Sequence, residues 1–204
     1  MANRLALPAL AACALAALFV GCKRTAPEKH WPAQGLVDSP HIGMALTFPP
    51  AGWRRFDKDD DEQLPHGHSR QNRFFRGGPT APDLLLTVER LTLARNHGPR
   101  QFEILTDAEF LDRARGGAES MLRLFGDAVI DDCRVIYLGD RRLSRCTINL
   151  PKGGKGTGAQ TVLSYFWAAS DNDLGSASVV SRLDAVAAIE EIERILASLR
   201  ENGQ

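Results

Sequence analysis

The chain has 204 residues, of which 25 are Lys or Arg and 25 are Asp or Glu, so its formal net charge is +0 at pH 7. This balance excludes the chain-wide positive field that draws proteins to nucleic acid, and no nucleic-acid partner is expected. A hydrophobic content of 44% with 25% charged residues is typical of a globular protein, and the length suits one core behind a short leader.

The first residues have the layout of a bacterial lipoprotein signal. Arg4 supplies a positive charge, residues 5–21 carry none, and Gly21 stands just before Cys22. The uncharged run is shorter than the roughly 20 apolar residues that a membrane-spanning helix needs. The pattern therefore predicts a signal peptide over residues 1–21 and a lipid on Cys22, which would anchor the protein to a membrane of the cell envelope.

Two alternatives for the leader stay open. Leu10-Ala11-Ala12-Cys13 is a second local match to a lipoprotein cleavage site, so Cys13 competes with Cys22, although cleavage there would leave an apolar core of about 8 residues. The other alternative is an ordinary secretory leader, after which Cys22 remains a free thiol. Lys23 follows Cys22 where Asp would indicate the inner membrane, which favours the outer membrane with the domain facing the periplasm.

The remaining chain divides into a tether and one domain. Residues 22–35 mix charge, Pro and Gly without periodicity, which is typical of a linker, so we expect a lipidated tether there. Residues 36–204 are long enough for a single globular domain. Within it, alternating apolar positions predict a strand over 42–48 that ends at Pro49-Pro50, and residues 70–76 and 83–93 predict two more strands.

A helix is predicted in mid-chain. Thr106 and Glu109 form a capping box, and helical spacing of apolar residues continues behind them as far as Phe125. Gly116-Gly117 interrupts this segment and is expected to weaken it by about 1 kcal/mol per glycine.

The C-terminal part returns to strands and closes with a second helix. Strands are predicted over residues 160–169 and 177–183, and Asp184 is predicted to cap the closing helix. Helical spacing assigns its apolar residues to the core and its charged residues to water. The expected core residues are Val186, Ile189, Ile192, Leu196 and Leu199, and the expected exposed residues are Glu190, Glu193, Arg194 and Arg200.

Two cysteines are predicted to form a structural disulfide. Gly139-Asp140 reads as a two-residue hairpin turn, so Leu138 faces Arg141. Counting outward from that pair places Cys133 opposite Cys146 at a position without ladder hydrogen bonds, where Cα atoms approach to about 4.5 Å. An exported domain favours oxidation of such a pair, and the closed loop would stabilise the fold by about 3 kcal/mol.

This order of elements predicts an α+β fold with a mainly antiparallel sheet flanked by two main helices. The chain resembles the PsbP-like family, which includes bacterial envelope lipoproteins of the DcrB type, over residues 36–202. The resemblance rests on Phe48-Pro49-Pro50-Ala51-Gly52-Trp53, the mid-chain helix, Phe166-Trp167 and the terminal Ile195-Leu196-Ala197-Ser198-Leu199. It implies an α/β/α sandwich with a binding or accessory role, and it brings no catalytic residues to this chain.

The acidic run at residues 57–62 and the neighbouring histidines are the candidates for metal binding. Oxygen ligands at alternate positions suit calcium, but Glu62 stands where an EF-hand needs Gly, and a solvated loop is the preferred interpretation. His66 and His68 have the donors for a transition metal, with carboxylates nearby, but an exposed polar loop after Pro65 is the preferred interpretation. No resident metal or other cofactor is expected.

Other motifs give no clear chemistry. The Gly-rich run at 152–158 lacks the glycine spacing of a phosphate loop and precedes a strand instead of a helix. Gly175-Ser176-Ala177-Ser178 lacks the second glycine of a nucleophile elbow. Trp53, Phe166 and Trp167 could line a ligand pocket, because aromatic side chains provide contact area and orientation.

The sequence therefore predicts a non-catalytic binding or accessory module, held at the membrane through Cys22, with an envelope protein or a small ligand as its partner. The alternative from another class is a metal-dependent hydrolase that uses His66, His68 and the acidic run at 57–62.

Overall fold

A computed structural model describes residues 29–50, 52–57, 59–64, 67–93, 104–125, 128–150, 158, 161–170 and 173–201. The predicted leader, Cys22, His66 and all but Gly158 of the Gly-rich run lie outside the described residues. The strands are β1 His30–Pro32, β2 Gly35–Ser39, β3 Met44–Phe48, β4 Trp53–Phe56, β5 Asp60–Leu64, β6 Gly67–Gly78, β7 Ala81–Leu93, β8 Val129–Leu138, β9 Arg141–Asn149, β10 Thr161–Ser170, β11 Asp173–Ser181 and β12 Arg200–Glu201, and the helices are α1 Asp107–Phe125 and α2 Ala185–Ala197.

A nine-stranded sheet forms the centre of the molecule. Its strands follow the order β1-β4-β6-β7-β11-β10-β9-β8, with β5 added beside β6, and every pair is antiparallel. A second sheet of three strands has the order β12-β3-β2. The long hairpins β6-β7 and β8-β9 arise because successive strands alternate apolar residues and meet at tight turns.

One face of the main sheet packs against α2 and the small sheet. Side chains from β3, the centre of the main sheet and α2 form one continuous apolar cluster there. The largest fully buried side chains in this cluster are Trp167, Tyr165, Phe48 and Phe74. Because α2 has its apolar residues at helical spacing, burial of that stripe against the sheet supplies most of the helix's stability.

The opposite face carries α1, which contacts β8, β9 and β10. Ala114 and Ala118 of the helix pack on Cys146, Ile148 and Val162 of the sheet. The capping box is confirmed, since Thr106 Oγ1 accepts from the Glu109 backbone N–H at 3.3 Å and Glu109 Oε2 accepts from the Thr106 N–H at 2.9 Å. The Thr106 N–H and the Thr106 hydroxyl both donate to Glu109 Oε2, and these two hydrogen bonds lower the pKa of that carboxyl.

The hairpin that carries the cysteines has the predicted register. Leu138 lies opposite Arg141 and Cys133 opposite Cys146, and the two cysteines form a disulfide with a Cα–Cα distance of 4.1 Å. The register shifts between Ile130 and Asp132, just beyond the disulfide. The crosslink therefore fixes the edge hairpin next to the point where its regular pairing is interrupted.

The domain begins before residue 36, where the sequence predicts its start. His30–Pro32 pairs with β4, and Ala33 is 1% exposed with its N–H donating to the Trp53 carbonyl at 2.9 Å. The Pro and Gly of this segment indicated a linker, but three backbone pairs with β4 and one buried alanine hold it in the fold. At least residues 30–35 of the predicted tether therefore belong to the domain.

Two further boundaries differ from the sequence predictions. Strand β11 begins at Asp173, four residues before predicted residue 177, because Gly175 and Ser176 pair within the sheet despite their low strand propensity. Asp184 does cap α2, accepting from the Ala187 N–H at 3.0 Å. Val186, however, is 65% exposed and not in the core, because it lies on the side of α2 away from the buried stripe of Ala188, Ile192 and Ile195.

Candidate functional site

The three aromatic residues predicted to line a pocket do not come together. Trp53 and Trp167 lie in the core on the α2 side, with exposed fractions of 2% and 0%. Phe166 packs on the other face, against the cluster beneath α1. Adjacent residues of a strand point to opposite faces of a sheet, so Phe166 and Trp167 cannot share one pocket. The predicted ligand pocket is therefore wrong as a single site.

Trp53 has a structural role on the α2 side. Its indole N–H donates to Glu191 Oε1 of α2 at 2.8 Å, and Arg76 forms an ion pair with the same carboxylate. Glu193, two residues further along α2, forms an ion pair with Arg145 of β9. These contacts hold α2 to the main sheet, which accounts for Glu193 being only partly exposed where water was predicted to surround it.

The second half of the acidic run is a strand and not a loop, and its Asp61 and Glu62 are exposed to water. Asp60–Leu64 forms β5 and pairs with β6. Its carboxylates have protein partners: Asp57 accepts from the Trp31 indole at 3.0 Å, Arg55 lies 2.6 Å from Asp59, and Arg73 lies 3.3 Å from Asp60. Carboxylates that already neutralise arginines have less charge to offer a cation.

His68 meets one of these carboxylates, but together with a histidine that was not predicted. Its Nε2 lies 3.0 Å from Asp61 Oδ1, and His41 Nε2 lies 3.7 Å from the same oxygen and 3.3 Å from the Asp60 carbonyl. Over the described part of the chain, no group of three or more His, Cys, Asp or Glu side chains is arranged to hold a metal ion. His66, the other predicted ligand, lies outside the described residues.

A buried polar cluster on the α1 side of the sheet was not predicted. We call it the Glu89 cluster, and it consists of Ser69, Gln71, Glu89 and Ser176. Glu89 of β7 lies directly opposite Gln71 of β6 and Ser176 of β11. Ser69 donates to Oε1, Gln71 Nε2 lies 3.4 Å from the same oxygen, and Ser176 donates to Oε2 at 2.9 Å.

Burial controls the ionisation of Glu89. The residue is 6% exposed, and removal from water raises the pKa of its carboxyl. The three neutral donors oppose this shift by stabilising the carboxylate, while the nearby negative charge of Glu62 adds to it. Desolvation is the largest of these effects, so the cluster holds a proton more tightly than an exposed glutamate does.

The polar character extends along the neighbouring row of the sheet. Thr87 lies opposite Ser178, and Ser178 lies opposite Ser164, and the three side chains are 1–6% exposed. The signal for this face was present in the sequence: Thr87 and Glu89 alternate with apolar residues through β7. The apolar run at 84–86 concealed that alternation, because it is equally typical of a strand buried on both faces.

The chemistry available to the Glu89 cluster is limited by access. The Ser69 hydroxyl donates to the Glu89 carboxylate, and the same contact joins a serine nucleophile to its general base in some enzymes. Ser69 is 1% exposed, however, and a substrate must reach the hydroxyl oxygen for such a pair to act. The cluster therefore functions as a buried hydrogen-bond network that joins β6, β7 and β11.

The fold is similar to that of cyanobacterial PsbP (CyanoP) from Synechocystis sp. PCC 6803, with a TM-score of 0.50 and 12% identity over 89% of this chain and 96% of that one. A crystal structure from Bacteroides thetaiotaomicron VPI-5482 gives a TM-score of 0.48 at 12% identity over 83% of this chain and 49% of that one, so this chain spans about half its length. The type VI secretion immunity protein TplEi from Pseudomonas aeruginosa gives 0.43 at 13% identity, over 87% of this chain and 53% of that one.

The likeness to CyanoP confirms the predicted PsbP-like α+β fold, and at 12% identity it shows the fold alone. No family model and no curated protein sequence matches the chain. Among the described residues, none of the helices combines the length and the apolar content that crossing a membrane requires.

Proposed function

We propose that this protein is a lipid-anchored cell-envelope module with a PsbP-like domain that binds a partner without catalysing a reaction. Residues 1–21 would be the signal peptide and Cys22 the lipid carrier, as in lipoproteins of the DcrB type. The domain would face the periplasm, with the outer membrane favoured as its anchor. Its partner would be an envelope protein or a small ligand.

The observation that carries this proposal is the position of Cys22 relative to the domain. Arg4 is followed by the uncharged residues 5–21 and then by Cys22. The first paired strand, β1, begins only a few residues after Cys22, at His30. A lipoprotein needs this order, because cleavage must leave the acylated cysteine outside the folded core. Two acyl chains or more would give stable attachment, since one chain binds a membrane only marginally.

The attachment chemistry is specific to the cysteine thiol. Cys22 Sγ would form a thioether with a diacylglyceryl group from a phospholipid, and the phosphate headgroup would leave with the thiol proton. Hydrolysis of the peptide bond between Gly21 and Cys22 would then free the cysteine amine. The disulfide between Cys133 and Cys146 supports the oxidising compartment that this route implies.

Mass spectrometry of the protein purified from membranes tests the anchor. We expect a mature chain that begins at Cys22 and carries acyl chains, and loss of this species in Cys22→Ser. Cys13→Ser is the matched control, and it should leave acylation unchanged. Acylation that persists in Cys22→Ser and disappears in Cys13→Ser would contradict the assignment.

Affinity capture tests the binding role. The lipidated protein would be crosslinked in intact envelopes and recovered under denaturing conditions. We expect a defined partner protein or a bound small molecule in stoichiometric amount. If the crosslinker has reacted with all of the protein and the protein is still recovered alone, the result would contradict a binding role.

The alternative, a metal-dependent hydrolase, has the contact of His68 and His41 with Asp61 in its favour. Elemental analysis of the purified protein tests it, together with His66→Ala and His68→Ala in one variant. One equivalent of zinc or nickel that the double substitution removes, with hydrolytic activity lost in parallel, would replace the proposed function with this alternative.

A further inference from the structure

The distance between the lipid and the fold limits where the domain can lie. Six residues, 23–28, separate Cys22 from Lys29, whose carbonyl accepts from the Asp57 N–H at 2.9 Å and is thus part of the fold. Seven Cα–Cα steps span at most about 25 Å. A flexible chain of this length has a root-mean-square extension of about 15 Å. A domain of this size has a radius of about 20 Å, so the tether is shorter than the domain is wide.

The tether joins the domain at one edge of the main sheet. Lys29 leads directly into β1, which is the first strand in the order of the nine-stranded sheet, and β8 is the last. Seven strand spacings separate the two edges, which corresponds to about 34 Å. A short tether at β1 therefore keeps this edge close to the membrane and keeps the β8 edge distant from it.

The β1 edge presents a side chain suited to the membrane surface. Trp31 is 57% exposed, whereas the other two tryptophans of the chain are 2% and 0% exposed. Its indole ring is apolar with one polar N–H, and tryptophan is enriched at the headgroup level of bilayers for that reason. The charges beside it have both signs: Lys29 and Arg54 are positive, and Asp57, which accepts the indole N–H, is negative. Such an edge suits a lipid surface without requiring an anionic one.

We propose that the β1 edge of the sheet, with Trp31 as its contact residue, lies in the headgroup region of the membrane that holds the lipid of Cys22. This inference rests on the proposed lipid anchor. It adds an orientation to that anchor: the sheet stands with β1 toward the bilayer, and the disulfide hairpin at β8 points into the aqueous space.

Quenching of tryptophan fluorescence by brominated lipid tests the proposal. The purified lipidated protein would be reconstituted in phosphatidylcholine vesicles with or without bromine on the upper acyl carbons. We expect fractional quenching about twofold or more above that of Trp31→Phe, because only an indole near the headgroups meets the bromines. Equal quenching in the wild type and in Trp31→Phe would overturn the proposal.

The opposite edge of the sheet provides a matched control. Tyr137 on β8 is 61% exposed, close to the 57% of Trp31. In a Trp31→Phe background, Tyr137→Trp therefore places an equally exposed indole at the far edge, and we expect brominated lipid to leave its emission unchanged. Quenching at position 137 equal to that at Trp31 would overturn the orientation.

A variant with a longer tether tests whether the short tether holds Trp31 at the membrane or whether Trp31 binds lipid by its own affinity. Inserting a flexible Gly-Ser segment of about 20 residues between Pro27 and Glu28 doubles the extension of the tether or more. We expect weaker quenching of Trp31, and unchanged quenching would overturn the argument from tether length. Intact mass of the same samples distinguishes the two proposals: an acylated Cys22 without Trp31 quenching refutes the orientation alone, and a chain without lipid refutes both.

Discussion

The two faces of the main sheet are built from the same strands but have different chemistry. The face toward α2 contributes to the largest apolar cluster of the described residues, which includes Trp53 and Leu143. The face toward α1 is apolar beneath the helix and polar beyond it, in the Glu89 cluster. Because side chains alternate along each strand, one set of sequences can specify both faces independently. We therefore expect packing to dominate stability on the α2 side, and crosslinking and protonation to matter on the α1 side.

The largest effect is expected from Gly175→Ala on the α2 side. Gly175 lies directly opposite Trp167, and the indole ring occupies the space where a Cβ at position 175 would lie. The fully buried ring has no room to move, so we expect a loss of about 3 kcal/mol, at the upper end of overpacking effects. Urea unfolding measures it. Replacing Trp167 by Leu in the same background should recover part of the loss, and a neutral Gly175→Ala would contradict the tight packing.

Removal of the disulfide is expected to have an effect of similar size, on the α1 side. Cys133 and Cys146 are separated by 13 residues, and a loop of that size contributes about 3 kcal/mol by restricting the unfolded chain. The double substitution of both cysteines by Ala should lower the unfolding midpoint in urea. A reductant should lower the wild type similarly and leave the variant unchanged. A variant as stable as the oxidised wild type would contradict a structural role.

Glu89→Gln tests protonation on the same side. Burial raises the pKa of Glu89, so the folded state binds its proton more tightly than the unfolded state. Stability from this group is complete below the ordinary carboxyl pKa and is lost as pH rises through the raised value. The slope for one proton is at most about 1.4 kcal/mol per pH unit. Urea unfolding across the acid to neutral range should show this decline in the wild type and a flatter profile in Glu89→Gln.

Glu201 provides the comparison on the α2 side. Its pKa is also raised, first by burial, but Arg141 and Arg90 oppose the shift. Glu201→Gln should therefore flatten the pH profile less than Glu89→Gln. A larger effect at Glu201 would show that the Glu89 hydrogen bonds offset its burial.

The sequence predicted the elements that depend on neighbours in the chain. The capping box at Thr106, the cap at Asp184 and the register that pairs Cys133 with Cys146 follow from local spacing, and the structure contains all three. The misassigned features depend on the partner across the sheet. The Glu89 cluster needs β6 and β11 beside β7, and local periodicity does not identify those neighbours.

The assignment of a tether to residues 30–35 failed for the same reason. Pro32 and Gly35 lower the local propensity for a strand, and the pairing that overrides it comes from β4, about twenty residues further along the chain. The candidate pocket of Trp53, Phe166 and Trp167 failed for a different reason. Strand alternation already separates Phe166 from Trp167, and the sequence contained that information.

The smallest effects are expected from the two adjacent glycines of α1, and of the two alanine substitutions only Gly116→Ala should be stabilising. A Cβ at Gly117 would approach Cζ of Phe166 to 3.2 Å, whereas a Cβ at Gly116 meets nothing within 4 Å. Gly116→Ala should stabilise the protein by about 1 kcal/mol, because alanine favours a helix over glycine by that amount. Gly117→Ala gains the same propensity but must push α1 from the sheet, so it should be neutral or destabilising. Parallel urea unfolding of the two variants compares them, and equal stabilisation by both would mean that α1 does not approach the sheet closely at Phe166.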